Sequence, residues 1–83
     1  MRYLYNELIK IYDNVIIVNL NELVVKKDNK EIYIDFYERT CTYTNTFKIF
    51  TRDIKTLEVD QKTFYNGTLE EKVNDILLYL EGV

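Results

Sequence analysis

The sequence predicts one small α+β domain over residues 1–83, with an N-terminal helix, an antiparallel sheet of four to five strands and a C-terminal helix. Three observations support this fold class. Apolar residues recur at helical spacing near both ends of the chain, β-branched and aromatic residues fill the middle, and short polar turns separate these segments. The simplest arrangement of these elements places both helices on one face of a meandering sheet.

The first element is predicted to be a helix. Leu4, Leu8, Ile11 and Tyr12 fall at positions i, i+4, i+7 and i+8, which form one face of a helix. The pair Asp13-Asn14 supplies a stop, because Asn tolerates the left-handed conformation common at helix ends. We therefore expect the helix to run up to this pair.

The middle of the chain is predicted to form the sheet. Residues 15–18 are β-branched throughout, which is typical of a strand buried on both faces. Asn19 and Asn21 mark a turn, and Asp28-Asn29 is a suitable two-residue hairpin turn. The strand after this hairpin alternates, with Ile32, Ile34 and Phe36 facing inward and Tyr33, Asp35, Tyr37 and Arg39 facing outward.

The remaining elements are another strand, a short fifth strand and the last helix. Residues 41–52 alternate in the same way, and Leu57 and Val59 around Glu58 favour a short strand over residues 54–60. Asn66-Gly67 breaks the chain. Thr68 with Glu71 three residues later predicts a capping box. The helix that follows carries one apolar stripe and ends near Gly82: Leu69, Val73, Ile76, Leu77 and Leu80.

The composition excludes the commonest kinds of catalytic site. The chain has no His, one Cys and two Gly, so it offers no His-activated nucleophile, no Cys/His metal cluster and no glycine-rich phosphate loop. Paired carboxylates such as Asp35 and Glu58 arise by chance among 14 acidic residues. We therefore expect neither an enzyme nor a protein that holds a cofactor or metal.

Cellular location is predicted from the same composition. No apolar run approaches the roughly 18 residues that a membrane span requires. Cys41 is alone, so no intramolecular disulfide can form, and we interpret it as a small buried hydrophobe. These features favour a soluble cytoplasmic protein without membrane contact.

The outward sheet face is the first candidate binding surface. It would bear Tyr33, Asp35, Tyr37 and Arg39, together with residues of the next strand. Ordinary cross-strand pairing on a solvated face explains this composition. An aromatic and arginine patch for a protein partner explains it as well. Base stacking with flanking cations is a third interpretation, and the net charge of −3 argues against it.

The second candidate is the acidic last third of the chain. Glu58, Asp60, Glu70 and Glu71 belong to it. A solvated helix face is the ordinary interpretation of such residues. The functional interpretation is a negative patch that steers the protein onto a basic surface, such as the nucleic-acid channel of another protein.

The third candidate consists of apolar residues that the helices do not need for the core. Tyr79 and Leu78 lie off the stripe of the last helix, as Tyr3, Tyr5 and Ile9 do on the first. A neighbouring element that wraps the helix would explain them. Two such helices on one small domain also suit a partner-binding seam or a homodimer.

These observations together favour a small non-enzymatic protein-binding protein. Small size, a Tyr-rich surface, an acidic region and amino-acid usage typical of an AT-rich genome suggest a phage or mobile-element product that inhibits a host protein by occupying it. An anti-CRISPR-like inhibitor of a nucleic-acid-handling complex is one concrete form. The alternatives are a nucleic-acid-binding module that uses the sheet face and a self-associating structural accessory protein.

Overall fold

The computed structural model describes residues 1–37 and 46–83, and it confirms the predicted α+β fold. One antiparallel sheet holds five strands in the order in which they occur along the chain. The elements are α1 (Arg2–Leu8), β1 (Asn14–Asn19), β2 (Glu22–Lys27), β3 (Lys30–Tyr37), β4 (Thr46–Asp53), β5 (Val59–Phe64) and α2 (Leu69–Glu81).

Both helices pack on the same face of the sheet, which we call the covered face. Alternate residues of each strand point to this face, and their apolar side chains form one core with those of the helices. α1 also contacts α2. The fully buried apolar residues are Leu4, Leu8, Leu23, Val25, Ile32, Ile34, Phe47, Ile49, Val73, Ile76 and Leu80.

The first helix is shorter than the sequence predicts. α1 ends at Leu8, and the chain continues through a turn in which the Tyr12 N–H donates to the Leu8 carbonyl at 2.9 Å. Leu4 and Leu8 are buried as expected, whereas Ile11 is 58% exposed. The predicted stripe therefore overextends the helix by one turn, because the last two of its residues lie in the turn.

The prediction that residues 15–18 are buried on both faces is wrong. β1 is the first strand of the sheet, and within the described ranges it pairs with β2 alone. Ile16, Ile17 and Val18 are each about half exposed, at 49%, 56% and 52%. A β-branched run shows that a strand forms, and it does not show whether that strand lies in the middle or at the edge of a sheet.

The hairpin between β2 and β3 forms at the predicted turn. Lys27 lies opposite Lys30 in the register, and Asp28-Asn29 connects them. Of the two connecting residues, Asp28 takes the positive φ, at 54°. Ile32 and Ile34 face the core as the alternation predicts. Arg39, Cys41 and the predicted alternation over residues 41–45 lie outside the described residues.

The fifth strand exists but begins later than predicted. Residues 54–58 form a turn, and β5 follows at Val59–Phe64. The Asp53 carboxylate stabilises the turn by accepting the backbone N–H groups of Lys55 and Thr56 at 2.8 and 3.0 Å. Leu57 takes a positive φ of 64°, which a regular strand does not allow. Local hydrogen bonding thus outweighs the short apolar alternation around Glu58.

The last helix has the predicted beginning. The Thr68 hydroxyl accepts the N–H of Glu71 at 3.1 Å, and the Glu71 carboxylate accepts the N–H of Thr68 at 3.2 Å, which completes the capping box. Gly82 is the C-cap, in the right-handed region of backbone conformation. The buried stripe consists of Lys72, Val73, Ile76 and Leu80, whereas Leu77 is only half-buried.

A long-range contact fixes the other end of α2. The Lys27 ammonium donates to the carbonyl oxygens of Leu80, Glu81 and Val83 at 2.8, 3.3 and 3.1 Å. Carbonyls at a helix C-terminus have no partners within the helix, and a cation there also complements the helix dipole. The end of β2 therefore positions the end of α2.

Candidate functional site

The sheet face that the helices leave uncovered carries the predicted site residues Tyr33, Asp35 and Tyr37, and we call it the open face. Its residues alternate with those of the core along each strand, so the pairing register arranges them in rows across the sheet. The described residues on β2, β3 and β4 that form its middle are Glu22, Val24, Lys26, Glu31, Tyr33, Asp35, Tyr37, Thr46, Lys48, Phe50 and Arg52.

An apolar row crosses the centre of the open face. Ile16, Val24, Tyr33 and Phe50 occupy directly opposed positions on four neighbouring strands, and Gln61 continues the row on β5. Val24 is buried, and both aromatic rings are half-buried although no helix lies over them. Cross-strand aromatic and β-branched neighbours stabilise a sheet by covering one another.

Charged residues of both signs flank this row. On one side Lys26, Glu31 and Arg52 lie opposite one another, and on the other side Glu22, Asp35 and Lys48 do. In the first set opposite charges face each other across the strands, which favours this register. In the second set Asp35 faces Lys48 on one side and the like-charged Glu22 on the other. The three cations and three anions make this described part of the open face electrically neutral.

Of the described aromatic side chains on the open face, Tyr37 is the most accessible. Its ring lies under the Lys48 ammonium, which is 5.1 Å from the ring centroid, so the pair makes a cation–π contact. This contact holds the ring in one orientation at the end of β3 while 44% of the residue stays exposed. A large, oriented and half-exposed aromatic ring is typical of an interface anchor.

The structure places the other predicted site residues away from the open face. Asp60 lies opposite Thr51, so it belongs to the covered face at the β5 edge, and Glu58 lies in the preceding turn. Glu70 and Glu71 occupy the first turn of α2. The acidic residues thus lie along the α2 and β5 side of the molecule and do not join Tyr33, Asp35 and Tyr37.

Two of the predicted partner-binding residues are engaged in the fold. The Glu71 carboxylate closes the capping box. Tyr79 is half-buried and packs edge-on against Phe64 with ring centroids 5.7 Å apart. Leu78, beside Tyr79, is 65% exposed. The most exposed apolar residue of α2 is therefore Leu78, and Tyr79 fills the space between α2 and β5.

Sequence reasoning missed the contribution of β1 and β2 to the open face. Ile16 and Val24 complete the central row, but the sequence predicts Ile16 in a strand buried on both faces and assigns no direction to Val24. The register explains this: Val24 lies opposite Tyr33, whose outward direction was predicted. Pairing across the hairpin places Val24 opposite Tyr33, and pairing with the next strand places Ile16 opposite Val24. Extending the row in these two steps would have found both residues. Arg39, the remaining predicted residue, lies outside the described ranges.

The described residues contain few of the features that metal binding or catalysis requires. Among residues 1–37 and 46–83, no three His, Cys, Asp or Glu side chains come close enough to hold a metal ion. A groove of about 480 Å³ is open to solvent and lies between α1 and β1, where Tyr5, Ile17, Leu20 and Leu23 line it. The ionisable groups with clearly shifted pKa values, Tyr12 and Asp53, both lie off the open face.

Comparisons with known proteins give no relative from which a site could be transferred. No protein-family model matches the chain, and no curated protein or solved structure matches it. In the part of the chain that the structure describes, neither helix combines the length and apolar character needed to cross a bilayer.

Proposed function

We propose that this chain is a non-enzymatic protein-binding protein that acts by occupying a partner's surface through its open face. The observation that carries this proposal is the half-covered aromatic row of Tyr33 and Phe50, with Tyr37 oriented by Lys48 beside it. Aromatic rings with adjacent charged groups are enriched at protein interfaces and at their energetic centres.

The charge balance of this surface favours a protein partner over a nucleic acid. Nucleic-acid binding requires an excess of Lys and Arg to neutralise phosphates. The middle of the open face, as described, carries as many acidic as basic side chains, and neither sign forms a continuous patch. Mixed charges around an apolar centre instead suit a protein surface, whose rim is polar and of both signs.

The concrete form that we propose is inhibition of a host protein, with a nucleic-acid-handling complex as the partner class. The net charge of −3 and the acidic residues along α2 and β5 support this choice, because negative charge steers a protein toward the basic surfaces of such complexes. An anti-CRISPR-like inhibitor encoded by a phage or mobile element would act in this way, as a cytoplasmic protein.

Affinity capture with matched variants tests the open face. The wild-type chain, Tyr37→Ala and Leu78→Ala are immobilised and exposed to an extract of the source organism, and bound proteins are quantified by mass spectrometry. Truncation of an aromatic anchor costs about 2 kcal/mol or more of binding free energy. We expect a partner that wild type and Leu78→Ala retain and Tyr37→Ala loses. Equal capture by all three, or loss with Leu78→Ala alone, would place the contact elsewhere.

Oligonucleotide binding tests the alternative function. Fluorescence anisotropy with single- and double-stranded oligonucleotides at low salt measures it directly, and Lys48→Glu is the informative variant. Direct nucleic-acid binding would show sub-micromolar affinity that falls steeply with salt and is abolished by this change. We expect no such binding.

Steering by the acidic residues is tested separately. Glu70→Lys reverses a charge in the first turn of α2, whereas reversal of Glu71 would also break the capping box. If the acidic side steers association, Glu70→Lys slows association with the captured partner and weakens its salt dependence while dissociation changes little. An unchanged association rate would remove the acidic side from the proposal.

A further inference from the structure

The free edge of β1 differs from every other part of the described surface. Among residues 1–37 and 46–83, β1 hydrogen-bonds to β2 on one side and has no strand on the other. Its sequence, Asn-Val-Ile-Ile-Val-Asn, contains no charged residue and no Pro, and its apolar side chains are exposed on both faces of the sheet. Edge strands that remain unpaired usually carry charges, Pro or a bulge that block the addition of another strand. The register of β1 is irregular between Ile17 and Asn19, and its regular part, residues 14–17, carries none of these features.

The opposite edge of the sheet has that protection. β5 carries Asp60 and Lys62, which point to the covered face at the outer edge, and both are exposed. Inward-pointing charges at an edge resist pairing, because an added strand would have to desolvate them. The sheet therefore has one protected edge and one edge open to strand addition.

The hydrogen-bond pattern shows which backbone groups face outward from β1. The Phe36 N–H donates to the Asn21 carbonyl at 2.8 Å, and these residues continue the β2–β3 register as a hydrogen-bonded pair. Hydrogen-bonded and non-hydrogen-bonded pairs alternate, so Val24 directs its backbone groups toward Ile16 on β1. By the same alternation, Val15 and Ile17 direct their N–H and C=O groups outward.

We propose that a second copy of this chain pairs with this edge, β1 against β1, to form a closed dimer with one continuous sheet. A two-fold axis perpendicular to the sheet at Ile16 brings Val15 of each copy opposite Ile17 of the other. Each of these two pairs then exchanges two backbone hydrogen bonds, so all the outward groups of Val15 and Ile17 are satisfied. Because the axis is perpendicular to the sheet, the helices of both copies lie on the same side.

Side-chain packing favours the same register. Ile16 would meet its symmetry mate on the open face, and Val15 would cover Ile17 beside the groove between α1 and β1. A strand without charge can face its own copy without like-charge repulsion. Each copy has one unprotected edge, so the assembly closes at two. This inference is independent of the proposed function.

Sedimentation equilibrium over a range of concentrations tests the dimer. Ile16→Lys places two like charges opposite each other at the axis, and Gln61→Lys is the matched control, because Gln61 ends the same cross-strand row at the protected edge. We expect wild type and Gln61→Lys to be dimers and Ile16→Lys to be a monomer with native circular dichroism. A monomeric wild type, association that continues beyond two copies, or dissociation by Gln61→Lys would overturn the proposal.

Disulfide trapping tests the register without disturbing the edge. In a Cys41→Ser background, Ile16→Cys places two thiols at a directly opposed non-hydrogen-bonded pair, where Cα atoms lie about 4.5 Å apart. Ile17→Cys places its thiols diagonally, beyond the roughly 7 Å that a disulfide spans. We expect rapid oxidative crosslinking of the first variant and little of the second. Equal or reversed crosslinking would overturn the register.

Discussion

The hydroxyl of Thr51 is a polar group buried in the core. Thr51 lies on the covered face of β4 and is 4% exposed, and among the described residues its Oγ1 has no hydrogen-bond partner. A buried polar atom without a partner costs about 1–3 kcal/mol of desolvation. We therefore infer that this side chain lowers the stability of the fold.

Substitution of Thr51 tests this inference. Thr51→Val keeps the shape and removes the hydroxyl, so we expect the free energy of unfolding to rise by about 1 kcal/mol. Thr51→Ser keeps the hydroxyl and removes the methyl group, so stability should fall. Urea denaturation measures both changes. A less stable Thr51→Val protein would show that the hydroxyl has a stabilising contact.

At the residue scale, the sequence predicts which way a strand side chain points better than it predicts which residues that side chain contacts. The outward positions of Tyr33, Asp35 and Tyr37 follow from alternation alone, since strand side chains have a period of two. The position of Tyr79 against Phe64 could not be derived in this way, because it depends on how far α2 lies from β5. Contacts between elements distant in sequence leave no local pattern.

The helix α2 shows how an apolar stripe predicts burial. Ile76 is fully buried in the core, whereas Leu77 is only partly buried, although both belong to the predicted stripe. Truncation of a fully buried Ile or Leu costs about 2–5 kcal/mol. Ile76→Ala should therefore leave the domain largely unfolded, and Leu77→Ala should be clearly less harmful. Thermal melts of both variants measure this, and equal destabilisation would contradict the packing described.

The two ends of α2 depend on different parts of the chain. Thr68→Ala removes the local cap and should cost about 1 kcal/mol. Lys27→Met keeps the length of the side chain and removes the ammonium that binds three carbonyls of the helix end. Amide hydrogen exchange should then show faster exchange in the last turn of α2 with little change in its first turn. Uniform exchange along the helix would refute this.

At the element scale, local sequence signals predict which elements form, but they do not predict which strand lies at the edge of the sheet. The capping box was predicted from two residues and is present. The predicted fifth strand begins too early in the sequence, because an Asx-type turn at Asp53 competes with an extended backbone in the residues that follow. The β-branched residues of β1 predict a buried strand, and this prediction is wrong. A β-branched strand has the same composition in the middle or at the edge of a sheet, so composition does not reveal its position.

For the whole molecule we expect stability that is flat near neutral pH and falls at both extremes. The chain has no His, so few groups titrate between about pH 6 and 8. Hydrogen bonds from Thr56 and Lys55 hold the pKa of Asp53 below its ordinary value of 3.8, with help from Lys30. Burial and the nearby Glu81 raise the pKa of Tyr12 above 10.0.

The signs of these shifts set the pH dependence. A lowered folded-state pKa means that Asp53 stabilises the fold above its ordinary pKa and that this contribution is lost as pH falls through the folded value. A raised pKa means that Tyr12 contributes below its ordinary pKa and that this contribution is lost as pH rises beyond it. Urea midpoints across pH measure both effects. Asp53→Asn should reduce the loss of stability at acid pH, and Tyr12→Phe should reduce the loss of stability at alkaline pH. A steep change of stability at neutral pH would contradict both expectations.

The strand order also has a consequence for the rates of folding and unfolding. Every strand pairs with its neighbour in the chain, so each hairpin closes a short loop and can form early. The contact between Lys27 and Leu80 joins residues 53 positions apart and must form late. Loss of a contact that forms after the folding barrier speeds unfolding and leaves the folding rate nearly unchanged. In stopped-flow chevron plots, Lys27→Met should therefore move the unfolding arm upward while the refolding arm keeps its position.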